Sequence, residues 1–177
     1  LPMSVPIVRM SVPYQQKMVA EYAVLAVLYL YRAMPSILHN MKQKTWIEQP
    51  VFYTPDFRVG ILGLGEIGKA IAHKLSLFDF QILGWSQTKK NINFVNSFQG
   101  KNGLKEMLPL CNYIICALPL TTKTKGLIDN SFLHCLPRGA NIINLGRGAH
   151  IVETDLLEAL ESGQIGHAIL DVFDYEP

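Results

Sequence analysis

Three stretches of the chain carry residues able to do chemistry: Gly63-Leu64-Gly65-Glu66-Ile67-Gly68, Trp85-Ser86-Gln87-Thr88-Lys89-Lys90, and Arg147 between Gly146 and Gly148. The first has the spacing G-x-G-x-x-G, which alone is a weak signal. Here it follows the apolar run Phe57–Leu62 and opens a helical pattern, the context that a dinucleotide fingerprint requires. The first glycine permits a tight turn, the second lets a diphosphate reach the backbone, and the third lets helix and strand pack closely. Backbone N–H groups from Gly65 through Glu66 and Ile67 to Gly68, together with the helix dipole, then favour the anion.

The second stretch decides which dinucleotide. The residue expected to meet the adenosine ribose ends the second strand, and 18 residues past Gly68 that residue is Ser86. A carboxylate there accepts from the 2′-hydroxyl of NAD and repels the 2′-phosphate of NADP, by about 1–4 kcal/mol at partly exposed range. Ser86 removes that repulsion. Ser86, Gln87 and Thr88 after Trp85 offer donors, and Lys89 or Lys90 offers charge. The expected cofactor is NADP(H), with NAD(H) second.

Elements must position these groups. The pattern is helical from about Lys17 to Ala33 and apolar on nearly every side, which predicts a helix buried all round, within the chain or between subunits. Pro35 should end or kink it. A second helical stretch runs to about Lys44, and 45–57 reads as a connector. Strands then alternate with helices: strands at "FRVGIL", "FQILGW", "NFVNSF", "NYIICAL", "ANIINLG" and "IGHAILDVF", helices at Glu66–Leu77, "GLKEML", 130–135 and Glu153–Ser162. That alternation predicts an α/β fold, a Rossmann-type doubly wound parallel sheet preceded by a long apolar helix. The expected organisation is a lead-in over 1–16, helix and connector over 17–57, and a dinucleotide-binding domain over 58–177.

Composition limits the alternatives. With 177 residues, 49% hydrophobic and 17% charged, the chain is globular. A net charge of +2 argues against a nucleic-acid or anionic-membrane partner. The longest apolar run, Ala23–Tyr31, is far shorter than the roughly 20 residues of a membrane span. Cys111, Cys116 and Cys135 form no C-x-x-C pair, which predicts neither zinc site nor disulfide framework and fits a reducing cytoplasm. The chain begins with Leu1, which suggests a fragment of a longer protein.

Together "MVAEYAVLAVLYLYR", "VGILGLGEIG", "LGWSQTKK", "CNYIICALPLTTKTKGLID", "INLGRGAHIVETDLLEAL" and "ILDVFDYEP" resemble the cofactor-binding part of the D-isomer-specific 2-hydroxyacid dehydrogenases. Within them the chain is most similar to the glyoxylate/hydroxypyruvate reductase A group. That group has an Arg where this sequence has Gln87, which removes one phosphate-pairing fork and leaves Lys89 and Lys90 as substitutes.

The resemblance implies reduction of a small 2-oxo acid, glyoxylate or hydroxypyruvate, by hydride transfer. It makes Arg147 catalytic, its guanidinium holding the substrate carboxylate and polarising the carbonyl, with Gly146 and Gly148 letting the backbone turn. It makes Glu176 the partner of a catalytic His expected beyond Pro177. Leu118 and Pro119 contact the cofactor beyond the fourth strand, Leu145 is also cofactor-binding, and Asp171 faces the nicotinamide side of the pocket. It also implies a homodimer and a flanking substrate domain outside this chain, so that the chain alone binds cofactor without turnover. None of the five histidines substitutes for the missing one; His150, three residues after Arg147, is expected to pack or be solvated. Two other readings stay open: a dinucleotide-sensing regulatory binding protein and a non-functional gene fragment.

Overall fold

The computed structural model describes residues 13–49 and 52–176. The lead-in up to residue 12, Pro50 and Val51 of the connector, and Pro177 lie outside the described residues. Helix α1 spans Pro13–Tyr31, beginning earlier than its apolar pattern suggests. It stops ahead of Pro35. Ala33 turns into the left-handed region at φ 52°, and Pro35 sits in the first turn of helix α2, Met34–Lys42, where a missing N–H costs nothing.

Within this chain α1 is not buried on every side. Ala20, Ala23, Ala26, Val27, Leu30 and Tyr31 are buried, whereas Met18 and Leu25 are 51% and 61% exposed. This chain covers one face of the helix and leaves Met18 and Leu25 open.

Six strands follow, all parallel: β1 (Arg58–Leu62), β2 (Gln81–Ser86), β3 (Asn96–Gln99), β4 (Tyr113–Cys116), β5 (Ala140–Asn144) and β6 (Ile165–Leu170). Their order in the sheet is β3-β2-β1-β4-β5-β6, the two-halved arrangement of a Rossmann fold. Between them run helices α3 (Glu66–Ser76), α4 (Gly100–Met107), α5 (Asn130–His134) and α6 (Glu153–Glu161).

Alternation along the strands fills a core on each face. Val59, Ile61, Tyr113, Ile115 and Ile143 pack with α1 and α3, around Ala23, Val27, Ile71 and Leu75. Leu62, Ile114, Cys116 and Ile142 pack with α4, α5 and α6, around Met107, Leu133 and Leu156. Each such aliphatic side chain, fully buried, contributes roughly 1.5–3 kcal/mol. Tyr31 ties the connector to this core: its ring meets Phe57 and Phe80 edge-on, and its hydroxyl donates to the Phe52 carbonyl at 2.8 Å.

Strand ends fall shorter than their apolar runs. β6 stops at Leu170, and Val172 and Phe173, expected within it, have left the sheet. The weak third strand forms only over Asn96–Gln99, after a turn at Asn93–Phe94.

All three cysteines are free thiols, two buried and Cys135 exposed. Burial pushes the Cys111 thiol up to about 12, against a partial opposing pull from Arg58. It pushes Cys116 up to about 11, against a backbone hydrogen bond at Leu118. An unfolded chain ionises such thiols near about pH 8.5. Above that pH the unfolded state binds fewer protons than the folded one, so stability falls as pH rises toward the folded-state values. The limit is about 1.4 kcal/mol per pH unit per thiol. Urea midpoints taken at about pH 8 and about pH 10.5 should therefore separate, and Cys111→Ala should narrow the gap. An equal gap in the variant removes Cys111 from the account.

Candidate functional site

The ladder sets the site. Leu62 pairs with Trp85 on one side and Cys116 on the other; Cys116 pairs with Asn144, and Asn144 with Leu170. Ser86, Gly63, Ala117, Leu145 and Asp171 therefore follow at one level along the carboxyl edge. Backbone bonds carry the ladder that one step further: Gly63 donates to Trp85 at 2.9 Å, Ala117 to Leu62 at 2.9 Å, Leu145 to Cys116 at 3.0 Å and Asp171 to Asn144 at 3.1 Å. With strands about 4.8 Å apart, the row from Ser86 to Asp171 spans roughly 19 Å. It crosses the switch point between β1 and β4, where such sheets bind ligands.

The three loop glycines have three different causes. Gly63 adopts φ 99°, and a Cβ on it would lie 2.8 Å from the Ala117 carbonyl oxygen. A Cβ on Gly68 would overlap the Gly63 carbonyl, so this glycine lets α3 close onto the loop. Gly65 has nothing within 4 Å of where its Cβ would sit. Its φ of −75° suits any residue. No side chain caps α3, and Gly65 and Ile67 are exposed there. The Glu66 carboxylate turns to Lys69 at 3.2 Å.

At the carboxyl end of β2, Ser86 donates to the Thr88 carbonyl at 2.6 Å and so shapes its own turn. Gln87, Thr88, Lys89 and Lys90 are exposed beyond it. The Trp85 ring is buried, and its Nε1 donates to the Gly100 carbonyl at 2.8 Å, which holds the start of α4 against β2. Lys101 and Gln87 then line one open cleft of about 480 Å³ together with Gln99 and Asn102. Lys89 lines a neighbouring cleft with Ser97, Asn102 and Glu106. Lys101 gave no sequence signal, because only the Trp85 contact and the β2–β3 pairing bring it there.

Beyond β4, Leu118 is buried and lies between two glycines. A Cβ on Gly63 would meet its Cδ2 at 3.2 Å, and one on Gly146 would meet its carbonyl oxygen at 3.1 Å. Pro119 follows, exposed, in a loop that Thr124 Oγ1 braces by donating to the Pro119 carbonyl at 2.7 Å.

Arg147 follows β5 by three residues and opens a single 3-10 turn, Gly148–His150. Its Nη1 donates to the Gly146 carbonyl at 2.6 Å. The flanking glycines act differently from expectation. Neither has a positive φ, so neither is needed for turning. A Cβ on Gly146 would meet the His150 ring at 2.8 Å, and one on Gly148 would overlap the Phe173–Asp174 peptide. Both are glycine because another part of the chain packs onto them. The second contact seats the segment after β6 on the Arg147 loop, and Glu176 Oε1 accepts from Phe173 N at 2.8 Å within that segment.

Two polar side chains buried at 0% exposure brace the same loop. Asn144 Nδ2 donates to the Arg147 carbonyl at 3.0 Å, and its Oδ1 accepts from Gly146 N at 3.1 Å. His150 Nδ1 accepts from Arg147 N at 3.0 Å. Of the other histidines, His39, His73, His134 and His167 are exposed and lie on other elements. Among the described residues no group of three His, Cys, Asp or Glu could hold a metal, and no helix is long and apolar enough to cross a membrane.

A glycine loop at the switch point of a sheet wound in this order defines a dinucleotide-binding α/β domain. Residues 24–177 match the family model described as D-isomer specific 2-hydroxyacid dehydrogenase, NAD binding domain, and the chain belongs to that family. Three solved structures are similar. A family member from Xanthobacter autotrophicus Py2, in complex with NADPH and MES, is 37% identical at TM-score 0.95 over 98% of this chain and 72% of its own. One from Klebsiella pneumoniae 342 is 38% identical at TM-score 0.96 over 99% and 57%. An NADPH-dependent glyoxylate/hydroxypyruvate reductase from Sinorhizobium meliloti, in complex with NADP and sulfate, is 32% identical at TM-score 0.95 over 99% and 57%. The chain thus spans between 57% and 72% of the length of these relatives.

The glycine geometry separates folding from binding. Gly68→Ala should cost about 3 kcal/mol or more, since the Gly63 backbone cannot yield to the added methyl. Gly65→Ala should fold like wild type, within about 0.5 kcal/mol. Thermal unfolding of both variants checks this; equal losses would mean that Gly65 also serves packing.

Proposed function

We propose that this chain is the cofactor-binding part of an NADPH-dependent reductase of small 2-oxo acids, with glyoxylate and hydroxypyruvate as leading substrates. The observation that carries the reading is Gly65. Neither its backbone nor any neighbour requires a glycine, and it sits at the uncapped start of a helix. A methyl there would fill the space in which a diphosphate approaches the amides of Gly65, Glu66, Ile67 and Gly68.

The row of strand ends supports the rest. Ser86, Gln87, Thr88 and Lys89 receive the adenosine end after Trp85, with no carboxylate at the end of β2 itself against a 2′-phosphate. Lys101 adds a charge that Gln87 no longer supplies. Leu118, Pro119, Leu145 and Asp171 receive the nicotinamide end. The bound cofactor supplies a hydride. Arg147 holds the substrate carboxylate with its guanidinium fork and draws charge onto the carbonyl oxygen as the hydride arrives.

Glu176 partners a proton-donating imidazole contributed from outside this chain, keeping it charged near neutral pH. The chain alone binds cofactor without turnover, because the one histidine at Arg147 is buried behind the loop. Three free thiols fit the cytoplasm.

The apolar face of α1 left open by this chain, at Met18, Tyr22 and Leu25, is the surface we assign to a homodimer. Light scattering at high concentration reads it: a strict monomer ends that assignment.

Titration with both reduced dinucleotides tests the cofactor reading. NADPH should bind at least tenfold more tightly than NADH, a difference of about 1.4 kcal/mol. Gly65→Ala should weaken NADPH by a similar factor or more. Tighter NADH binding overturns the preference, and undiminished binding by the folded Gly65→Ala variant overturns the diphosphate site.

A further inference from the structure

We infer that His150 is a positioning residue for Arg147, holding its backbone so that the guanidinium keeps one aim. The inference rests on the reading of Arg147 as the substrate-binding group. Its starting point is a buried polar side chain with an incomplete set of partners. The His150 imidazole is 0% exposed. Its Nδ1 accepts from the Arg147 backbone N at 3.0 Å. An amide N–H facing Nδ1 requires the neutral tautomer with the proton on Nε2. That Nε2 is buried and has no hydrogen-bond partner among the described residues.

A buried N–H without a partner destabilises a fold. A leucine in this core position would avoid that and would still fill the space. What an imidazole offers, and a leucine does not, is the acceptor at Nδ1. Its target is one particular amide, that of the residue carrying the guanidinium. The geometry is that of a capping box, in which the third residue of a turn reaches back to the N–H before it. Arg147 is that residue here, extended at φ −144° and ψ 149°, and the turn returns the favour when His150 N donates to the Arg147 carbonyl at 3.1 Å.

The ring also lies against Gly146, where a Cβ would come within 2.8 Å of Nδ1 and Cε1. It therefore fixes both the peptide entering Arg147 and the position of the carbonyl that Arg147 Nη1 bonds. With Asn144 holding the carbonyl on the far side, the Arg147 backbone is gripped at both its N–H and its C=O. His150 touches no substrate in this account. It acts through Arg147, by removing the conformations in which the fork would miss a carboxylate.

The test uses the whole polypeptide that the gene encodes, with His150→Asn and His150→Leu. Asn places Oδ1 near the site of Nδ1 and keeps the acceptor; Leu keeps the branching and loses it. Hydrogen exchange at the Arg147 amide is expected to stay slow in wild type and His150→Asn and to rise at least tenfold in His150→Leu. In 2-oxo acid reduction His150→Leu should raise KM for the acid at least tenfold, with NADPH affinity within twofold of wild type, and His150→Asn should restore KM to within threefold.

Unchanged exchange in His150→Leu overturns the inference. So does a loss of NADPH affinity in step with KM, the mark of general disorder, or a failure of His150→Asn to recover. The functional reading fails separately: wild type then reduces no 2-oxo acid, or Arg147→Ala keeps its kcat/KM within tenfold. Exchange at the Arg147 amide still decides in that case whether His150 holds the loop.

Discussion

The hydrogen-bond ladder that ends level across β2, β1, β4, β5 and β6 is the constraint on which the site depends. Parallel pairing fixes each strand's height against its neighbour, so every loop that follows a strand leaves the sheet at one edge. Small residues lock that register. A Cβ on Gly60 would come within 2.6 Å of Cys111 Sγ, and one on Gly84 within 2.7 Å of Leu64 and Val95. A slip of one residue would drive Ile61 or Leu83 into those places, and in a sheet buried on both faces nothing can move aside. The glycine loop, Leu118, Leu145 and Asp171 line up because the core allows a single register.

Packing at that edge is tight enough to convert loops into fixed structure. Gly63 lies under Ala117, Gly68 under Gly63, Gly146 under the His150 ring and Gly148 under the Phe173–Asp174 peptide. Two of these contacts, Gly63 with Ala117 and Gly148 with Phe173, join segments far apart in sequence; Gly65 lies in the loop of the first pair and Arg147 between the last two glycines. Gly65 stands apart from these four in that a Cβ on it would meet nothing within 4 Å.

The apolar first helix shows the opposite situation. Its apolar pattern pointed to burial on all sides, within the chain or between subunits. The chain buries the face carrying Ala20, Ala23 and Val27, whose small side chains let α1 come close to α3, and leaves Leu25 open. Periodicity reports where apolar side chains lie around an axis; it says nothing about which body covers them.

Sequence alone determined the alternation of strands and helices, the switch-point glycine loop, the missing carboxylate at Ser86 and Arg147 as the charged group at a strand end. These are local facts, because turn chemistry, apolar period and residue type act over a few positions. It misjudged Gly146 and Gly148, assigning them to turning, and gave His150, Asn144 and Lys101 no part in the site. Tertiary structure decided those. Asn144 and His150 sit next to Arg147 in the chain, but their hydrogen bonds exist only because the core closes over them. Lys101 shares a cleft with Gln87 through the β2–β3 pairing, and Gly148 is glycine because Phe173 arrives from the far end of the sheet. Contacts between distant segments leave no period or spacing to read, since they are fixed by packing in three dimensions.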